Sequence, residues 1–139
     1  MKSLKLLSLI ITLVIITFFT FCNKDKSLEG RIIGTWKMSK VLELSEDVTE
    51  QHNPDNNRWI RFMIDPEIEN GGIFESGKGD KTENTGKWFI NQVELFIDSD
   101  AGDDDDSYWQ IVINENKMHW KGKRFDFNKR FEIFFDRMD

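Results

Sequence analysis

Cysteine is nearly absent: the 139 residues hold one, Cys22, so no disulfide can close within the chain. Histidine is scarce too. His52 lies in a polar stretch and His119 between Met118 and Trp120, and neither has a partner at the spacings that zinc sites or catalytic triads use. No nucleophile elbow, phosphate-binding glycine loop or dinucleotide fingerprint occurs. Acidic residues outnumber basic ones, 25 to 19, with no basic cluster to reverse the balance locally, so nucleic acid is not an expected partner. From Ile33 onward no stretch keeps a 3.6-residue apolar stripe, which argues against a helical domain. These absences make an enzyme the least expected class and leave no cofactor to expect, although carboxylate pairs assembled across strands would leave no mark in a sequence.

What is present begins at the N-terminus. Lys2 and Lys5 precede an uncharged apolar run from Leu6 to Phe21, and Cys22 stands at its end. A basic n-region, an apolar h-region and a lone cysteine together read as a bacterial lipoprotein export signal. Phe21 departs from the small residue expected just before the lipidated cysteine. The run to Cys22 also sits near the lower limit of about 17 residues for a spanning helix, so an uncleaved anchor is the competing reading. The expected organisation is a signal peptide over 1–21, a lipidated Cys22 with a polar tether over 22–31, and a folded domain over 32–139. The expected location is the bacterial cell envelope, anchored by lipid to a membrane on its periplasmic or surface side. Cleavage before Cys22 leaves 118 residues, enough for one core. Loss of Lys2 and Lys5 leaves 17 basic residues against 25 acidic ones, a net charge of −8.

Apolar residues of the folded part recur at period two in short segments closed by turn residues. Val93, Leu95 and Ile97 alternate with Glu94 and Asp98, and Trp109, Ile111 and Ile113 flank Gln110 and Val112. Eight strands are predicted, over 33–44, 58–65, 72–76, 85–90, 93–98, 107–113, 117–122 and 130–137. Asn70-Gly71, Gly77-Lys78-Gly79, Asn91-Gln92 and Asn114-Glu115-Asn116 punctuate them. An open sheet of eight strands would expose two edges, whereas closure removes both. The predicted fold is therefore all-β, a single eight-stranded antiparallel up-and-down barrel.

Ile33-Gly34-Thr35-Trp36-Lys37 in the first strand resembles the Gly-x-Trp opening of lipocalins and of the small lipocalin-like lipoproteins of bacteria. Gly72-Ile73-Phe74-Glu75-Ser76-Gly77, then Thr85-Gly86-Lys87-Trp88-Phe89-Ile90 and Val93-Glu94-Leu95, are similar to the middle hairpins of those lipoproteins. The likeness spans roughly residues 32 to 137. It implies a carrier that holds a small apolar molecule inside the barrel. It also implies a basic residue packed against Trp36, for which Arg130 and Arg137 are the candidates.

An eight-stranded barrel is just wide enough either to be filled by side chains or to hold one small ligand. The candidate cavity wall is Trp36, Phe62, Trp88, Leu95, Trp109 and Met118, although Trp36 is better suited to plugging a closed end. Trp59 and Trp120 are not separable into core and cavity by spacing alone. The acidic run from Asp98 to Asp106 offers Asp100, Asp103, Asp104, Asp105 and Asp106 as a weak candidate cation loop, but Gly102 is one place early for an EF-hand and Trp109 stands where its bidentate acid belongs. A solvated hairpin tip is the simpler reading. Two functions follow as expectations: a membrane-tethered, monomeric binder of a small apolar ligand, or a filled barrel that engages a protein partner through its longest loops, 45–57 and 98–107.

Overall fold

Along Ser107–Asn114 burial alternates at every residue: Ser107, Trp109, Ile111 and Ile113 are inside, and Tyr108, Gln110, Val112 and Asn114 are out. The same period-two logic builds the whole domain. The computed structural model describes residues 27–124 and 130–139, with the side chains of 123 and 124 left aside. The expected signal peptide, Cys22 and residues 23–26 of the tether lie outside the described residues.

The strands are β1 (Gly34–Glu43), β2 (Glu46–Asp47), β3 (Arg58–Ile64), β4 (Gly71–Lys78), β5 (Lys81–Asn91), β6 (Glu94–Ser99), β7 (Ser107–Asn114), β8 (Lys117–Arg124) and β9 (Arg130–Arg137). β1 and β3 to β9 pair antiparallel in chain order, and β9 returns to pair with β1, closing an eight-stranded up-and-down barrel. β2 is a two-residue appendage that pairs with the end of β1. All eight predicted strands are present. β5 is longer than predicted because Lys81–Thr85 pairs with β4 while both its faces stay exposed, so that segment carries no apolar alternation to read.

Two short helices and a 3₁₀ turn complete the described residues. α1 (Leu28–Ile32) is capped by Ser27, whose Oγ accepts from the Gly30 amide, and it carries Ile32 into the core with no exposed surface. Residues 28–31, read from the sequence as the end of a tether, are thus helix. α2 (Thr49–His52) follows β2, and the 3₁₀ turn spans Asp103–Asp105.

The two ends of the barrel differ. One end collects α1 and the short β3–β4, β5–β6 and β7–β8 connections. The other collects the long β1–β3 loop with α2, the acidic β6–β7 loop and the β4–β5 turn. A bulge between Met38 and Lys40 breaks the alternation of β1, so that Trp36, Met38 and Val41 share the inner side.

Candidate functional site

The closed half is filled by side chains. Trp36 is fully buried at the start of β1, and its Nε1 donates to the Ile32 carbonyl of α1 at 2.7 Å. The Arg137 guanidinium, at the end of β9, sits 4.1 Å from the Trp36 ring centroid and donates to the carbonyls of Ile33 and Arg31. Arg31 in turn donates to the Ile113 carbonyl at 2.9 Å, fastening α1 to β7. Of the two candidate arginines, Arg137 packs against Trp36; Arg130 is exposed at the opposite end of the same strand.

Trp88 shares its Nε1 proton between the carbonyls of Met63 and Ile73, 3.1 Å from each. Gly72 makes this possible: a Cβ there would overlap the Met63 carbonyl oxygen and press on the Trp88 nitrogen. Phe62 meets Trp88 edge to face at 5.7 Å, and Leu95 and Met118 are buried beside them in the same core. Five of the six proposed wall residues, Trp36, Phe62, Trp88, Leu95 and Met118, therefore pack the closed half. The sixth, Trp109, stands at the open one.

There the interior is not filled. A mouth cavity of about 450 Å³ is lined by apolar Met38, Val41, Trp109, Phe131 and Ile133 and by polar Gln51, His52, Arg58, Asp105 and Ser107. Two smaller cavities, of about 150 and 160 Å³, adjoin it: the first shares Trp109 and Ser107 with it, the second Met38 and Ile133, and both are lined by Ile60, Ser76 and Trp120. Trp120 is central among the rings that surround them, 5.4 Å from Trp109, 6.1 Å from Phe62 and 4.8 Å from Phe135. Its partner ring is satisfied, since Trp109 Nε1 donates to Ser107 Oγ at 2.8 Å. Trp120 Nε1 is not: it is buried without an acceptor among the described residues. Leaving such a donor unmet costs about 1–3 kcal/mol.

The rim on the β1 side is fixed rather than hinged. Val48 donates from its amide to the Val41 carbonyl at 3.0 Å, and the Thr49 hydroxyl accepts from the Val41 amide at 2.9 Å. The buried Asn53 donates from Nδ2 to the Met38 carbonyl and accepts from the amides of Asn57 and Arg58. Asp47 accepts from both the hydroxyl and the amide of Thr49, which hold its carboxyl below the usual value, with a smaller contribution from Lys40. His52 packs edge-on against Phe131 at 5.6 Å. Arg58 is engaged by Glu83 at 3.1 Å.

The acidic loop spends part of its charge on closing itself. Asp106 accepts from the Ser99 amide at 2.8 Å, and Asp100 accepts from the Thr85 hydroxyl at 2.7 Å. Asp103 and Asp104 lie exposed in the 3₁₀ turn, and Asp105 lines the mouth. Among the described residues, no three His, Cys, Asp or Glu side chains form a group that could hold a metal ion. His119 stands apart on β8, stacked on Phe134 at 4.3 Å with its Nε2 2.9 Å from Glu132.

Met38, Ile60, Trp120, Phe131 and Ile133 were not among the residues expected at the site. A signal for them exists in loop length. The two longest connections, 44–57 and 100–106, stand at the same end, so inward residues nearest them line the mouth. No protein-family model matches the chain, and no curated protein matches it in sequence.

Proposed function

We propose that the chain is a lipocalin-like protein of the bacterial envelope, held at a membrane through Cys22, that binds one small, mainly apolar molecule in the open half of its barrel. The observation that carries the reading is the mouth cavity of about 450 Å³ above a closed half packed with rings. Small-molecule sites fall at about 300–1,000 Å³ and combine apolar walls with a few placed polar groups. Met38, Val41, Phe131 and Ile133 supply the walls, and Trp109 and Trp120 line the cavity and the smaller ones beside it. A further observation supports the family part: the Arg137 cation on Trp36. The basic n-region, apolar run and lone cysteine support the anchor.

A titration of the full-length protein in lipid nanodiscs with fatty acids, retinoids, sterols and haem, read by tryptophan fluorescence, tests this. Saturable change at micromolar ligand, beyond that of an empty-nanodisc blank, is the expected result. A flat response from folded protein across the panel contradicts a carrier and favours a filled barrel that works through its loops.

A further inference from the structure

Helix α1 begins at the closed end of the barrel, and few residues separate it from Cys22. We infer that the closed end rests on a zwitterionic lipid surface and that the mouth opens away from it; this rests on the chain being held at a membrane at Cys22, by lipid there or by the apolar run that ends there.

The first observation is length. A chain from Cys22 to Ser27, the N-cap of α1, reaches at most about 18 Å in any conformation. β1 runs from the closed end to the mouth over Gly34–Glu43, which at the usual strand rise and barrel tilt is about 20–25 Å along the axis. The mouth connections lie beyond that. A barrel standing on its mouth would therefore need a longer tether than the chain supplies, whereas one standing on its closed end needs very little.

The second observation is which side chains meet the surface. Ile64 ends β3, Val93 sits in the β5–β6 turn and Met138 follows β9, so all three stand at the closed end. They are 68%, 56% and 60% exposed. One exposed apolar residue is ordinary; three at the end nearest the tether are what a lipid surface would cover. The mouth end carries the exposed Leu44 together with the exposed Asp103 and Asp104, a charge run that does not enter an interface of lipid. The closed end has acids of its own, Glu67, Glu69, Glu94 and Glu115, all exposed. These repel anionic headgroups and leave zwitterionic ones as the surface that fits. In this orientation a ligand enters the mouth from the water side and not directly out of the bilayer.

Paramagnetic broadening tests the orientation on the unaltered protein. Full-length chain is placed in phosphatidylcholine nanodiscs that carry a gadolinium-chelating headgroup lipid, and ¹H–¹⁵N amide signals are compared with those in discs loaded with a diamagnetic ion. Loss of the Ile64, Val93 and Met138 signals, with Leu44 and Asp103 retained, is the expected result. In phosphatidylglycerol discs at low salt the closed-end broadening is expected to weaken; broadening as strong as before would overturn the headgroup preference. If the protein stays with the discs on gel filtration but the Leu44 and Asp103 signals are the ones lost, or both sets are lost alike, the inference fails while the anchor stands. If the folded protein does not stay with the discs, the anchor and the inference fail together.

Discussion

The guanidinium of Arg137 lies 4.1 Å from the centroid of the Trp36 ring, joining the last barrel strand to the first. The two residues are also register partners where β9 meets β1, so the contact sits on the seam that closes the sheet. Arg137 adds two donors to the carbonyls of Ile33 and Arg31, and Trp36 adds one to Ile32. Helix α1 is therefore held over the barrel end by side chains from both strands of the seam. A planar fork that stacks on a ring while donating twice is something a lysine cannot reproduce.

Arg137→Lys is expected to lower unfolding stability by about 1–3 kcal/mol, although the charge is kept. Urea unfolding followed by tryptophan fluorescence measures it. A midpoint equal to that of wild type would mean that the stack and fork contribute nothing to closure.

Asp47 gives a pH-dependent effect with a definite sign. Its folded pKa lies below the ordinary 3.8, because Thr49 donates twice to the carboxylate and Lys40 adds a weaker attraction. A depressed acid contributes stability that is present above the unfolded value and is lost as pH falls through the folded one. Asp47→Asn is therefore expected to unfold at lower urea than wild type at pH 7, and the gap is expected to narrow below about pH 4. A gap that stays constant from pH 7 to pH 2.5 would show that the carboxylate charge is irrelevant to the β2–α2 corner.

Filling the mouth should remove binding without unfolding the barrel. Ile133 borders both the mouth cavity and a smaller adjoining one, so Ile133→Trp is expected to weaken a ligand found in the panel at least about tenfold. Val112→Trp, on the exposed outer face of β7, is expected to leave affinity unchanged. Equal loss in both variants, or in neither, would place the ligand elsewhere.

Cys22 is expected to carry the anchor. Cells expressing wild type are expected to label the protein with radioactive palmitate, and cells expressing Cys22→Ala are not. Labelling that survives in the variant would refute lipidation at this residue.

The barrel was legible because its signal repeats. Most strands from Arg58 to Arg137 carry a stretch that buries alternate residues, and asparagine or glycine marks most of the turns between them. The helices escaped for a physical reason: five and four residues are too few to show a 3.6-residue stripe, and both are held by tertiary contacts rather than by propensity. The site was half legible. Spacing shows that Phe62, Trp88, Leu95 and Trp109 face inward, but it does not say at what height, and height separates a packed floor from an open mouth. The bulge at Met38 and Lys40, which brings both Met38 and Val41 to the mouth, follows from pairing with β9 far along the chain and has no local sign. Family resemblance points to a basic residue against Trp36 but leaves Arg130 and Arg137 open, and the structure selects Arg137, since no local pattern links residues 101 positions apart.

The most direct test uses the indole protons of the five tryptophans as a map of the barrel. In a ¹H–¹⁵N titration of the full-length protein with a ligand from the panel, the signals of Trp109 and Trp120 at the open half are expected to move saturably. Those of Trp36 and Trp88, at the packed end, are expected to hold still. Motion confined to Trp36 and Trp88, or no motion at any of the five in folded protein, would contradict a ligand site in the mouth.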